Sequence, residues 1–284
     1  MEIINRRARM ASLARKLRRE NKTIGFVPTM GALHEGHLSL VKEARQMCDI
    51  VIVSIFVNPT QFNETADFVK YPRDLTADAE LLTEYQVDYV FAPEEQEIYG
   101  ENFSTYVYVE NLTETLEGAS RPGHFRGVAT VVTILFNTIR PDFAFFGQKD
   151  AQQVAVIRRL TQDLGFDTEI VVLKTVREES GLAISSRNSR LSADERAHAS
   201  IIYQALRKAK IAVREGERNA LRLAEIVREK IETEPLAQID YVAVVDNDTL
   251  EPVEKITDDT VLITVAVRFG NTRLIDNTVV NRQQ

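Results

Sequence analysis

The stretch TIGFVPTMGALHEGH, residues 23–37, decides the fold. Thr23 to Val27 is a short apolar run that stops at Pro28, and the loop after it carries Gly31, Gly36 and the pair His34 and His37. A helical pattern follows at once, with Val41, Ala44 and Cys48 spaced i, i+3, i+7. Strand, loop and helix in that order make half of a βαβ unit. In an open parallel sheet, ligands collect at the carboxyl ends of strands, where a helix N-terminus presents N–H groups to phosphate.

The same alternation continues outward. Asp49 to Val57, Tyr89 to Ala92, Asp142 to Phe146 and Glu169 to Leu173 are rich in Val, Ile and Phe, as buried parallel strands are. Between them the spacing predicts helices over Leu75 to Tyr85, over Thr130 to Ile139, and along Val154, Ile157, Leu160 and Leu164. The basic first segment reads as an amphipathic helix with Met10, Leu13 and Leu17 on its apolar face. Together these elements predict an α/β fold built on a doubly wound parallel sheet.

After Val176 the pattern changes. Ser192 followed by Glu195 forms a capping box, predicting one long charged helix that ends near Gly216, then a second from Ala220 to Ile231. Tyr241 to Val245 and Val261 to Val267 read as strands connected through the turn-prone Asp246, Asn247 and Asp248. Helices followed by strands predict a smaller C-terminal α+β domain. The expected division is residues 1–176 and 177–284.

Composition sets the outer limits. The 284 residues carry 35 Lys and Arg against 42 Asp and Glu, a net charge of −7, so the overall field opposes nucleic acid and anionic membrane surfaces. Any anion bound must be held by a local pocket. The longest apolar run, Ile50 to Val57, is interrupted by Ser54 and is far shorter than the roughly 20 residues of a spanning helix. The first 22 residues lack the apolar core of a secretory signal. With Cys48 alone there is no internal disulfide and no cysteine cluster, which suits a reducing compartment, and its apolar surroundings place it in the core.

Candidate chemistry sits where strands end. His34 and His37 are three residues apart, so a helical start puts both imidazoles on one face, with Gly36 between them opening the approach. Two donors converging on one point can stabilise charge building on an α-phosphate while diphosphate departs. Paired histidines also serve as cap donors, and as zinc ligands they lack partners. After the strand that ends in Gly147, Gln148, Lys149 and Asp150 set a cation beside a carboxylate able to take a ribose hydroxyl or Mg²⁺. Ser185, Ser186 and Arg187 could close over a triphosphate. Gln61 and Gln153 can each donate and accept, which suits a hydroxy acid, and the loop Arg121 to Gly127 offers positive charge.

Five stretches carry a resemblance: FVPTMGALHEGH (26–37), SIFVNPTQF (54–62), LEGASRPGHFRGV (116–128), FFGQKDAQQ (145–153) and GLAISSRN (181–188). In this order they resemble the pantothenate synthetase family of ATP-dependent ligases, within the wider nucleotidylyl-transferase superfamily that shares His-x-Gly-His. Arg273 to Asn277 is the best match in the remainder. The resemblance implies a Rossmann-like first domain, a C-terminal lid domain, and condensation of (R)-pantoate with β-alanine through a pantoyl adenylate. It also implies Mg²⁺ dependence, a cytoplasmic location and a homodimer.

Carried over by position, the resemblance places Met30, Gly31, Ala32, Leu33, His34, Glu35, Gly36 and His37 around ATP, with His37 and His34 on the phosphates as the catalytic pair. Gly147, Gln148, Lys149, Asp150, Val176, Ile184, Ser185, Ser186 and Arg187 complete the nucleotide set, while Gln61 and Gln153 hold pantoate. One position departs from the family, which commonly has Glu where this chain has Gln148.

Overall fold

Residues 1–63, 65–257 and 260–281 are described by a computed structural model. The elements run β1 (Glu2–Ile4), α1 (Arg7–Arg19), β2 (Ile24–Thr29), α2 (Glu35–Met47), β3 (Ile50–Ile55), α3 (Thr65–Val69), α4 (Leu75–Glu84), β4 (Tyr89–Phe91) and α5 (Glu95–Ile98). There follow α6 (Glu117–Ser120), α7 (His124–Ile139), β5 (Phe143–Gly147), α8 (Ala151–Asp163), β6 (Glu169–Leu173), α9 (Ala193–His198), α10 (Ile201–Arg214), α11 (Ala220–Ile231), β7 (Ala237–Asp246), β8 (Val261–Phe269) and β9 (Thr272–Val280). The chain divides into two compact units, Met1–Gly147 with Val156–Leu173, and Gln148–Ala155 with Lys174–Gln284. The short excursion Gln148–Ala155 is a feature that a single cut at residue 176 does not contain.

The first unit holds a six-stranded sheet in the order β1-β4-β3-β2-β5-β6. Every pairing is parallel. From central β2 the chain steps outward to β3 and β4, then returns to the other flank for β5 and β6. The order therefore reverses between β2 and β5, the switch point where a sheet of this kind leaves a crevice. Side chains of β2 alternate between faces. Val27 joins Leu38, Val41 and Ala44 of α2 and Leu82 of α4 in one apolar cluster. Phe26 instead meets Phe136 of α7 edge-on at 6.3 Å.

Pro28, which has no N–H for the ladder, pairs in register with Ser54. Beside it the Thr29 hydroxyl donates to Ser54 O at 2.7 Å. Cys48 is buried as expected, and burial pushes its thiol up to about 11, with Asp142 adding to the rise and Arg45 opposing it.

The second unit packs α10 and α11 on the antiparallel sheet β7-β8-β9. Ile202, Leu206 and Val213 of α10 and Leu223 and Val227 of α11 bury against Ile263, Val265 and Val267 of β8. The capping box is present: Ser192 Oγ accepts from Glu195 N at 3.1 Å, and Glu195 Oε2 accepts from Ser192 N at 2.8 Å.

One expectation needs correcting here. The long helix to Gly216 is divided into α9 and α10, because Ala199 and Ser200 tighten to ψ near −17° and −18° and Ser200 Oγ donates back to Ala197 O at 3.2 Å. Arg273 to Asn277 lies within a further strand, β9, whose buried Asp276 and Asn277 hide it from any reading of apolar runs.

Candidate active site

The loop from β2 to α2 is held by bonds to its own backbone. Gly31 and Ala32 both have positive φ, +79° and +51°, a conformation that costs an alanine energy and persists only when the surroundings impose it. Asp78 of α4, only 4% exposed, imposes it: Oδ2 accepts from Ala32 N at 3.0 Å and Oδ1 from Leu33 N at 2.8 Å. Gly31 N donates to Thr29 Oγ1 at 3.2 Å.

His34 is the N-cap of α2, in extended conformation, and its Nδ1 accepts from Gly36 N at 3.2 Å. An accepting nitrogen carries no proton, so the proton of this ring sits on Nε2, a donor. His37 N donates to His34 O at 2.8 Å. The two imidazoles stack with centroids 4.1 Å apart and planes 28° from parallel. A Cβ at residue 36 would meet His34 Cε1 at 2.9 Å, so Gly36 makes room for the ring. Because Gly31, Ala32, Leu33, Gly36 and His37 all spend their N–H groups inside the protein, the loop backbone acts as a mount.

Asp78→Asn replaces one accepting oxygen with an NH₂ group and leaves a loop N–H without a partner. The expected loss is about 1–3 kcal/mol in urea unfolding. An unchanged midpoint would show that Asp78 does not hold the loop.

Gln61 lies in a 3₁₀ turn, Pro59–Gln61, after β3, and is 8% exposed. Its Oε1 accepts from Asn58 Nδ2 at 3.0 Å and its Nε2 donates to Met30 Sδ at 3.0 Å, which ties it to the histidine loop. Asn58 Nδ2 also donates to Gly127 O at 3.1 Å, and Asn58 Oδ1 accepts from Tyr99 OH at 2.7 Å. Burial pushes the Tyr99 phenol up to about 12, so it stays a donor at neutral pH. Arg121 and His124 turn toward the Gln61 carbonyl, at 3.3 and 2.8 Å. That oxygen only accepts and Arg121 only donates, so His124 carries its proton on Nδ1 and accepts from Arg121 at Nε2, 3.1 Å away. A cavity of about 330 Å³ beside the loop is lined by Met30, Gly31, Phe56, Phe68, Arg73 and Asp78, among others.

The second unit gathers another set. Lys149, Ser185 and Arg187 line one small pocket with Tyr203 and Asp276. Ser185 caps the next turn by accepting from Arg187 N at 3.3 Å, Ser186 O accepts from Ser189 Oγ at 2.9 Å, and Ile184 N donates to Val176 O at 3.0 Å. Lys149 Nζ lies 3.5 Å from Asp150 Oδ1. Gln153 is half-buried in α8. Thus Met30 to His37 and Gln61 come together in the first unit, and Val176 meets Ile184, and Lys149 meets Ser185 and Arg187, in the second. Asp78 and Tyr99 escaped the sequence reading, and Asn58 entered it only as part of the stretch 54–62, without a role. Asp78 left one signal, a carboxylate on the same helical face as Leu82.

The stacked histidines thus sit on a clamped loop beside the switch point of a doubly wound α/β sheet, the place where such sheets take their ligands. The chain matches the Pantoate-beta-alanine ligase family over residues 2–279. It is 54% identical over 280 residues to the pantothenate synthetase of Heliobacterium modesticaldum, covering 99% of each chain. Among solved structures it is similar to the pantothenate synthetase of Thermus thermophilus, at 44% identity and TM-score 0.91, covering 98% of this chain and 99% of that one. It is also similar to the pantoate-beta-alanine ligase of Francisella tularensis complexed with beta-gamma ATP and beta-alanine, at 36% identity and TM-score 0.80, covering 100% and 98%. The chain belongs to the pantoate-beta-alanine ligase family. Among the described residues, no helix is long and apolar enough to cross a membrane.

Proposed function

We propose that the chain condenses (R)-pantoate with β-alanine, consuming ATP and releasing AMP and diphosphate, through a pantoyl adenylate. The observation that carries this reading is the His34–His37 stack at the start of α2, tied through Met30 to a Gln61 whose carboxamide is oriented by Asn58.

In the first step a pantoate carboxylate oxygen attacks the α-phosphorus, the bond to the bridging oxygen breaks, and diphosphate leaves with both electrons. A carboxylate is already nucleophilic at neutral pH, so this step needs alignment and charge neutralisation and no general base. His34, through Nε2–H, and His37 donate to the phosphates, while Lys149, Ser185, Ser186 and Arg187 bind the nucleotide. Gln61 and Gln153 orient pantoate. In the second step the β-alanine amine attacks the acyl carbon, AMP departs, and the amine proton passes to solvent. Neither histidine has to give up its proton or take one in either step.

Among the described residues, no three His, Cys, Asp or Glu side chains converge as a cage for a metal. Asp150, a carboxylate beside Lys149, is the residue that would hold Mg²⁺ with the nucleotide. When bound, Mg²⁺ supplies further charge neutralisation. The family likeness extends the proposal to a cytoplasmic homodimer without a nucleic-acid or membrane partner.

A product assay with ATP, pantoate and β-alanine, omitting each in turn, tests the reading. AMP and the amide are expected only when all three are present. A dinucleotide product would identify an adenylyltransferase, and ATP binding without diphosphate release would identify a nucleotide sensor. For Gln61→Ala the expected result is a KM for pantoate raised about tenfold, as for loss of one or two hydrogen bonds, with ATP affinity little changed. An equal loss for both ligands would make Gln61 structural.

A further inference from the structure

Two consecutive residues of β9 fasten two segments that are far apart in the sequence. Asn277 is 4% exposed, and its Nδ2 donates to Gln148 O and Lys149 O, both at 2.9 Å. Its Oδ1 accepts from Gln148 Nε2 at 3.2 Å, so the carboxamide and the 3₁₀ turn Gln148–Asp150 hold each other from both sides. A glutamate at residue 148 has no donor to offer Oδ1, so this closure belongs to the Gln148 of this chain.

Asp276, 2% exposed, receives both arms of the Arg177 guanidinium, at 2.5 and 2.9 Å, and accepts from Asn277 N at 2.8 Å. Arg177 also donates to Gly181 O at 3.2 Å and lies 4.1 Å from the centroid of the Tyr203 ring. Bidentate geometry of this kind sets direction as well as energy, and breaking one partner of a buried pair strands the other charge.

We propose that Asp276 and Asn277 are positioning residues for nucleotide recognition. Asn277 aims Lys149 by holding the backbone of its turn. Asp276, through Arg177, sets the base of the loop that carries Ser185 and Arg187. The inference rests on the reading that Lys149 and Arg187 contact ATP.

A double-mutant cycle separates the two ideas. ATP dissociation constants are measured by calorimetry with Mg²⁺ for Asn277→Ala, Lys149→Ala and the double variant, alongside the KM for pantoate in diphosphate–ATP exchange. Asn277→Ala is expected to weaken ATP about tenfold and to leave the pantoate KM within about twofold. The double variant should bind ATP within about twofold of Lys149→Ala alone, because a misdirected lysine and a missing one are equivalent. Asn277→Ser, which keeps one donor and disturbs packing less, should recover part of the loss. Asp276→Asn with Arg187→Ala repeats the test at the other loop. Multiplicative losses in the double variants, or pantoate and ATP weakened equally, overturn positioning and leave the nucleotide reading standing. Unchanged ATP affinity in both Lys149→Ala and Arg187→Ala overturns the nucleotide reading and the inference with it.

Discussion

His37→Ala is expected to lower pantoate-dependent exchange of label between diphosphate and ATP by about 10²–10³, the usual effect of deleting one preorganised donor from a developing charge. The stack explains why the effect should fall on rate. At 4.1 Å between centroids, with His34 oriented by its bond from Gly36 N, the His37 ring is supported by a neighbour that is itself fixed. Truncation removes a donor and leaves the mount intact, since the bonds from Ala32 and Leu33 to Asp78 do not involve the ring. The fold should therefore survive, with the urea midpoint close to that of the parent. Exchange at the parent rate would mean that residue 37 does not meet the reacting phosphate.

Gly127→Ala should produce the largest loss of stability among these changes. A Cβ there would lie 2.5 Å from Thr60 O, 2.6 Å from Thr60 C and 2.7 Å from Gln61 N. All three are backbone atoms of the turn that presents Gln61, so no side chain can swing aside. The expected cost is about 3 kcal/mol, at the upper end for overpacking. Relief requires α7 to retreat from the turn, which lengthens the bond from Asn58 Nδ2 to Gly127 O and displaces Gln61. The KM for pantoate should rise more than that for ATP. Gly100→Ala, where an added Cβ meets nothing within 4 Å, is the control. A midpoint unchanged from the parent in Gly127→Ala would refute close seating of α7.

What the sequence disclosed follows from how burial writes itself into residue choice. The apolar runs lie within one or two residues of β2, β3, β4 and β5, because parallel strands covered on both faces cannot avoid Val, Ile and Phe, and Glu169 to Leu173 forms the edge strand β6 over the expected residues although it is only half-buried. Glu2–Ile4 is too short to show any period. The helix expected from Thr130 begins at His124, since Phe125 and Val128 extend its buried face behind a polar start. Leu164 falls beyond α8 and is 52% exposed, so the apolar spacing there ran one step too far.

At the site, the short-range pattern was legible: two histidines flanking a glycine after a strand can be seen without coordinates. The supports were not. Asp78 lies 45 residues from the Leu33 N–H it holds, and Gly127 lies 69 from Asn58. Such partners are set by tertiary contact and leave only a polar residue in an apolar setting. Asn277, separated from Gln148 by 129 residues, is the extreme case.

His34 opens a helix through Nδ1, and on the proposed reading its Nε2–H also meets the phosphates. A substitute at that position must begin a coil with a lone pair and greet an oxyanion with a hydrogen, from one short side chain. Few of the twenty amino acids can do both, so the architecture itself narrows the vocabulary available for tuning this reaction.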